Sequence, residues 1–129
     1  DLDGDGDQDD VATLQNARRV VWCKNDGAGQ FEPQRDLQGN VAFPSSLFVA
    51  DLNQDKHLDI VYGSGDGALY WNQNTGDGTF QESKTIAEDV KGLSGLNEIH
   101  GADFDGDGFI DITTICSYMD KVVWFKFKP

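Results

Sequence analysis

The sequence has few residues of several kinds that often decide a fold prediction. Its 129 residues include only 2 Cys, 3 Pro, 2 His and 1 Met. Two cysteines cannot form the disulfide framework of a small secreted domain, so we expect Cys23 and Cys116 to be small buried thiols. No apolar run approaches the roughly 20 residues that span a bilayer. No signal peptide precedes Asp1 either, and we expect a trimmed or processed N-terminus.

Basic residues are scarce as well, with 10 Lys and Arg against 23 Asp and Glu, for a net charge of −13. Such a surface repels nucleic-acid phosphates and anionic lipids, which excludes nucleic acid as a partner and argues against membrane insertion. Hydrophobic residues make up 38% of the chain, enough for a packed core. The 15 Gly cluster beside Asp and Asn, a pattern that predicts tight turns between short strands.

The acidic residues recur in three nine-residue loops, at 1–9, 51–59 and 103–111. A hydrophobic stretch follows each loop, and then a second β-rich run that carries a tryptophan: Trp22, Trp71 and Trp124. After the first two tryptophans comes an Asn/Asp/Gly turn that ends in Phe. Three landmarks kept in one order at a period near fifty indicate an internal repeat.

Each full repeat predicts four short strands joined by hairpin turns, the signature of a four-stranded antiparallel propeller blade. The predicted fold class is therefore all-β. The predicted units are a partial repeat (1–44), a complete repeat (45–94) and a second partial repeat (95–129). Because a closed propeller needs about four to eight blades, we expect either a piece of a longer chain or a protomer that completes its sheets with neighbours.

The alternating acids of each loop predict a metal site. Acids at positions 1, 3 and 5 put oxygens on the inside of a tight turn, Gly at position 6 permits positive φ, and the carbonyl of position 7 and the carboxylate of position 9 complete the shell. This flexible, all-oxygen set suits Ca²⁺ better than Mg²⁺. An EF-hand is rejected because position 12 is Ala12, Tyr62 or Thr114 rather than a bidentate acid. The remaining alternative is ordinary solvated hairpin turns.

The three loops differ in sequence. Loop 51–59 carries Asn53 in place of an Asp and Lys56 in place of the glycine. One fewer negative charge, an adjacent ammonium and a less favourable backbone predict that this loop binds Ca²⁺ most weakly.

The acidic loop, the hydrophobic run after it, and the Trp followed by Asn-Asp-Gly-x-Gly-x-Phe resemble the FG-GAP/VCBS repeat family, and the integrin α-subunit propeller loops are similar. The resemblance implies up to three calcium ions, each held in the hairpin between the first two strands of a blade, in a secreted or cell-surface protein that is often adhesive or sugar-binding. Side-chain ligands carried over are Asp1, Asp3, Asp5, Asp9, Asp51, Asn53, Asp55, Asp59, Asp103, Asp105, Asp107 and Asp111. Backbone carbonyls would come from Asp7, His57 and Phe109.

No spacing in the sequence indicates a catalytic centre, so we expect no enzyme activity. The regular placement of the tryptophans favours packing between sheets, with stacking on sugar rings as the alternative. Tyr62, Tyr70 and Tyr118 are less regular, and sugar contact by them stays open without support from the spacing. The leading hypothesis is a calcium-binding extracellular module for adhesion, carbohydrate recognition or assembly, with a protein or carbohydrate ligand at the cell surface. Two alternatives stay open: a non-catalytic repeat region of a larger carbohydrate-active enzyme, and a ring or fibre that self-associates through open sheet edges.

Overall fold

The computed structural model describes residues 1–87, 96–116 and 120–129. In these ranges the chain forms strands and turns and no helix. None of the described residues belongs to a helix that is long and apolar enough to cross a membrane. The strands are β1 (Asp10–Leu14), β2 (Arg19–Cys23), β3 (Arg35–Gly39), β4 (Leu47–Ala50), β5 (Asp59–Gly63), β6 (Leu69–Asn72), β7 (Lys84–Ala87), β8 (Leu96–Ala102), β9 (Asp111–Cys116) and β10 (Lys121–Phe125).

Three antiparallel sheets follow one another along the chain. The middle sheet has four strands in the order β4-β5-β6-β7, and the flanking sheets have three each, β1-β2-β3 and β8-β9-β10. The pairs Ala50–Asp59 and Ala102–Asp111 close the hairpins that contain loops 51–59 and 103–111. The predicted all-β class, with antiparallel sheets of consecutive strands, is therefore confirmed, as is the expected position of these two loops between the first two strands of a sheet.

The middle sheet is buried on both faces because its side chains alternate between two cores. Ile60 and Tyr62 pack with Leu2 and Val20 of the first sheet's region, while Val61 packs with Ile112 of the third. Successive side chains of a strand point to opposite faces, so one β-branched run supplies both cores. All five residues of β5 are buried as a result.

The predicted packing of the tryptophans is confirmed for two of the three. Trp22 meets Phe80 of the middle sheet's region edge-to-face, with ring centroids 6.2 Å apart, and Trp71 meets Phe127 in the same way at 5.1 Å. Trp124 differs, because it lies on β10 with 51% of its surface exposed. Among the described residues, an aromatic side chain of the next repeat therefore packs against Trp22 and Trp71, and none packs against Trp124.

Polar contacts also join the sheets. Ser46 accepts a hydrogen bond from the backbone N–H of Ile99 at 3.0 Å, and the Gln54 amide donates to the carbonyl of Gly108 at 2.7 Å, so loop 51–59 touches loop 103–111 directly.

Cys23 and Cys116 are both free thiols, as expected, with Cys116 buried and Cys23 half-buried.

Candidate metal centres

The first aspartate of each acidic loop holds the turn together. In the third loop one carboxylate oxygen of Asp103 accepts from the backbone N–H of Gly106 at 2.8 Å, and the other accepts from Gly108 at 2.9 Å. Asp1 and Asp51 accept equivalent backbone hydrogen bonds in their own loops. A carboxylate that satisfies several N–H groups of a tight turn fixes the loop's shape and points its remaining lone pairs inward.

The last aspartate joins each loop to the segment that follows the tryptophan strand. Asp59 accepts from the backbone N–H of Leu52 at 3.3 Å and from that of Asn74 at 2.8 Å. Burial raises the pKa of Asp59, although these two backbone donors oppose the shift. Asp9 and Asp111 make the same pair of bonds, to the second residue of their loop and to the third residue after their tryptophan.

Three predicted ligands converge in the first loop and three in the last. One carboxylate oxygen from each lies within 4.8 Å of the others in two groups: Asp1, Asp3 and Asp9, and Asp103, Asp105 and Asp111. Calcium takes oxygens at about 2.3–2.6 Å, so oxygens on opposite sides of one ion lie about 5 Å apart. The separations in both groups therefore fit a single Ca²⁺.

The middle loop is built differently at position 3. The side-chain amide of Asn53 donates to Asp55 at 2.7 Å, and its oxygen accepts from the backbone N–H of Asp55 at 3.1 Å. Burial opposes ionisation of Asp55, but hydrogen bonds from the His57 backbone and from Asn53 outweigh it and lower its pKa. Asn53 thus takes the place of a carboxylate and already uses its amide on a neighbouring ligand.

Two lysines that the sequence did not lead us to predict form ion pairs with the acids of the outer loops. Lys24 forms ion pairs with Asp3 and with Asp5, the latter at 2.8 Å. Lys126 pairs in the same way with the third and fifth residues of its own loop, Asp105 and Asp107. Both lysines come two residues after the tryptophan, where the middle repeat has Gln73. A Trp-x-Lys spacing was therefore the available signal, because it places an ammonium beside the acidic loop.

These lysines change the electrostatics of the outer loops. The hydrogen bond from Lys24 is the main cause that lowers the pKa of Asp5, and Lys126 lowers that of Asp107 in the same way. The outer loops thus have four predicted carboxylate ligands and one ammonium each, while the middle loop has three carboxylates and no equivalent lysine. Without Lys56 the formal charges would be equal, but Lys56 lies inside the middle loop and offsets one further negative charge there. The predicted weakness of the middle loop therefore rests on its lower charge, on its backbone and on the Asn53 ligand.

The backbone of the middle loop adopts left-handed conformations at two non-glycine residues. Positions 4 and 6 have positive φ in every loop: Gly4, Gly6, Gln54, Lys56, Gly106 and Gly108. The value at Lys56 is 74°, and at Gln54 it is 62°. Side chains with a Cβ adopt this region at a cost of roughly 1 kcal/mol each. Positive φ was expected at position 6 but not at position 4.

Position 7 contributes a backbone donor in all three loops. The N–H groups of Asp7, His57 and Phe109 donate to the carboxylate at position 5, at 2.9–3.0 Å. The side chains of Asp7 and His57 lie against a glycine of the turn that follows their tryptophan, Gly27 and Gly76. Their carbonyls as metal ligands stay a prediction.

The repeat found in the sequence coincides with a known family. The FG-GAP-like repeat matches residues 1–62 and again residues 51–114, so each match begins at the first aspartate of an acidic loop. The chain belongs to the FG-GAP-like repeat family. The third acidic loop lies inside the second FG-GAP-like match, and the predicted resemblance is confirmed.

A curated relative of this FG-GAP-like chain is integrin alpha-E of Mus musculus. The two are 28% identical over 160 aligned positions, which include 100% of this chain and 14% of the integrin. The chain thus spans about one seventh of that relative's length.

Proposed function

We propose that this FG-GAP-like chain is a non-catalytic, calcium-binding β-propeller repeat module of a cell-surface or secreted protein, where it contributes to recognition of a protein or carbohydrate partner. The observation that carries the proposal is the convergence of three carboxylates in each outer loop, at separations that suit one Ca²⁺. The chain supplies only oxygen ligands at these points, and all-oxygen sets with several carboxylates are typical of Ca²⁺.

Calcium would act on this module by stabilising the folded loops. Each loop gathers carboxylates that repel one another, and a divalent cation between them removes that repulsion. Because the unfolded chain does not hold the carboxylates together, Ca²⁺ binds the native state preferentially and shifts the unfolding equilibrium. One site at 100 times its Kd contributes about 2.7 kcal/mol to the free energy of unfolding.

The extracellular placement is supported by the relative and by the chemistry. The relative integrin alpha-E is a cell-surface protein, which supports the same placement for this chain. Calcium sites of extracellular modules have dissociation constants of about 10⁻⁴–10⁻³ M. Such weak binding suits these loops, because backbone N–H groups already occupy some of the lone pairs of the carboxylates. A net charge of −13 is also partly neutralised when Ca²⁺ binds.

Thermal unfolding with and without calcium tests the proposal. We expect millimolar CaCl₂ to raise the Tm of the chain by several degrees, EGTA to reverse the rise, and equimolar MgCl₂ to produce a much smaller one. The variant Asp103→Asn/Asp105→Asn should lose part of the calcium response, whereas Asp10→Asn, at the exposed start of β1, should keep all of it. A Tm that is the same in CaCl₂ and EGTA would remove the metal role.

A second candidate function, assembly with further repeats, is favoured by the exposed outer face of β10. Val122 is 72% exposed and Trp124 51% exposed there, whereas Trp71 of the middle sheet is covered by Phe127. Another FG-GAP-like sheet, from the same polypeptide or from another copy, would cover the indole of Trp124 in the same way. Light scattering tests this: concentrated protein should associate, and Trp124→Ser should abolish the association.

A further inference from the structure

A cleft of about 320 Å³ lies where the first and second sheets meet, away from the acidic loops. Loop 51–59 joins β5 at Asp59, while Tyr62, three residues further along the strand, lines the cleft. At about 3.3 Å per residue the two lie about 10 Å apart along β5. The volume is at the lower end of the range for small-molecule sites, about 300–1,000 Å³. The proposed calcium sites make no use of this cleft.

An aromatic pair forms one wall of the cleft. Tyr62 on β5 and Tyr70 on β6 are cross-strand partners with ring centroids 5.3 Å apart and planes inclined by 24°. Tyr62 is buried, and Tyr70 is half-buried. Burial raises the pKa of Tyr62 to about 12, so its phenol keeps its proton. Because Tyr62 is 1% exposed, the apolar surface that faces the cleft comes from Tyr70, whose ring the stack holds in place.

A chain of hydrogen bonds holds the polar groups beside this wall. The hydroxyl of Ser83 lies 2.8 Å from that of Tyr62, 2.9 Å from the side-chain oxygen of Asn72 and 3.2 Å from that of Gln38. Gln38 comes from β3 of the first sheet, so these bonds cross the junction. Side chains that are fixed by one another before a ligand arrives lose less entropy when it binds.

Charged groups of both signs line the cleft around this network. Arg18 extends from the β1–β2 turn, Asp66 from the β5–β6 turn, and Glu82 precedes β7. Within the described ranges, the guanidinium of Arg18 and the carboxylate of Glu82 take part in none of the ion pairs. Both remain available to a ligand.

The backbone of the cleft is strained at positions where glycine is the usual residue. Two residues that line the cleft have positive φ, Arg18 with 55° and Asn40 with 61°. The bond from the N–H of Val41 to the carbonyl of Arg18, 2.9 Å, holds this arrangement. Non-glycine residues kept in the left-handed region cluster at binding sites, where the rest of the structure offsets the strain.

We infer that this cleft binds one residue of a neutral saccharide. A sugar ring presents C–H groups that pack on an aromatic wall and hydroxyl pairs that each need a donor and an acceptor, which Arg18, Glu82 and the amides of Gln38 and Asn40 supply. A strongly anionic ligand would meet Asp66 and Glu82, and a strongly cationic one would meet Arg18. The inference rests on the recognition role proposed above, but it does not depend on the acidic loops.

Protein-observed NMR tests the inference with defined probes. We would titrate ¹⁵N-labelled chain, in CaCl₂, with the methyl glycosides of glucose, galactose, mannose and N-acetylglucosamine. At least one should shift the amides of residues 39–42 and 82–83 saturably, with a Kd of about a millimolar. Glu82→Gln should weaken this binding about tenfold, since it removes a charge-assisted acceptor. Glu32→Gln, another exposed acid that lies outside the cleft, should bind as the parent does.

Three outcomes would overturn the inference: no saturable shift with any of the four glycosides, shifts confined to residues outside the cleft, or equal binding by Glu82→Gln and the parent. A native spectrum of Glu82→Gln shows that lost binding is not lost folding, and Arg18→Gln gives an independent second variant. Calcium titration of the same sample separates the two proposals. If calcium leaves the Tm unchanged while a glycoside still binds the cleft, the metal role fails and the saccharide site stands, and the opposite pair of results does the reverse.

Discussion

The ammonium group of Lys24 lies 2.8 Å from the carboxylate of Asp5, and it also pairs with Asp3. Two predicted calcium ligands are therefore bridged by a cation that belongs to the chain itself. Lys126 has the same relationship to Asp107 in the third loop. A lysine in this position stabilises the loop without metal and repels an incoming divalent ion, so the two effects oppose each other.

Lys24→Gln should separate these effects. We expect the variant to bind Ca²⁺ in the first loop about two- to fivefold more tightly, because the repulsion from a solvent-screened ammonium that the substitution removes is modest. In EGTA the same variant should melt at a lower temperature than the parent. Isothermal titration calorimetry measures the first quantity and calorimetric unfolding the second. Gln73→Lys should weaken the middle loop, and Lys121→Gln serves as the control.

Lys56→Gly should stabilise the chain. Lys56 has φ of 74° at the position where the other loops have Gly6 and Gly108. Relief of the left-handed strain exceeds the extra entropy of an unfolded glycine, for a net gain of about 0.5 kcal/mol. Urea denaturation in EGTA measures the change. Lys56→Ala keeps the Cβ and removes the charge, so an equal gain from that control would show that strain is not the cause.

Asn74→Ala should destabilise the chain much more than Asn25→Ala. The amide of the buried Asn74 donates to the carbonyls of Leu2, at 2.8 Å, and Leu58, at 3.1 Å. Its loss leaves the carbonyl of the buried Leu2 and the partly buried carbonyl of Leu58 without this donor, and it should cost about 2–3 kcal/mol. The equivalent Asn25 is half-buried, and its amide donates to one carbonyl, that of Gln8, so we expect less than about 1 kcal/mol there. Similar values for both variants would contradict this account.

Asp59→Asn should also be costly without metal. Both carboxylate oxygens of Asp59 accept backbone N–H groups, and an amide would place a donor against one of them. With Asp59 fully buried, we expect a loss of about 2 kcal/mol in EGTA. Asp9 makes the same bonds but is half-buried, so Asp9→Asn should cost less. Denaturant curves of the two variants decide the comparison.

Much of the fold could be predicted because it repeats. The period of the acidic loops and tryptophans predicted the hairpins that contain loops 51–59 and 103–111, and the run Ile60–Tyr62 predicted a strand. Contacts between repeats could not be predicted from the sequence of one repeat. Trp71 and Trp124 occupy equivalent positions, yet only Trp71 is covered, because coverage depends on the next sheet and not on the local sequence.

The candidate sites likewise divide into those that the sequence of one repeat predicts and those that it does not. Local alternation of acids was enough to select the carboxylates that converge in the outer loops. The bond of Asn74 to Leu2 and the cleft between Arg18 and Glu82 join residues far apart in sequence, and no pattern within one repeat indicates them. The backbone carbonyl ligands and the weaker Ca²⁺ affinity of loop 51–59 stay predictions. Tyr118 lies outside the described residues.

The bond between Asn74 and Leu2 has a consequence for synthesis on the ribosome. The first acidic loop leaves the exit tunnel well before the residue that anchors it, which lies 72 positions later. At about 5–20 residues per second, that anchor arrives several seconds after the loop. Until the middle sheet has emerged, the first hairpin therefore lacks this hydrogen bond. Synonymous codons that slow translation near residue 74 would lengthen the time during which the hairpin is exposed to proteases and chaperones.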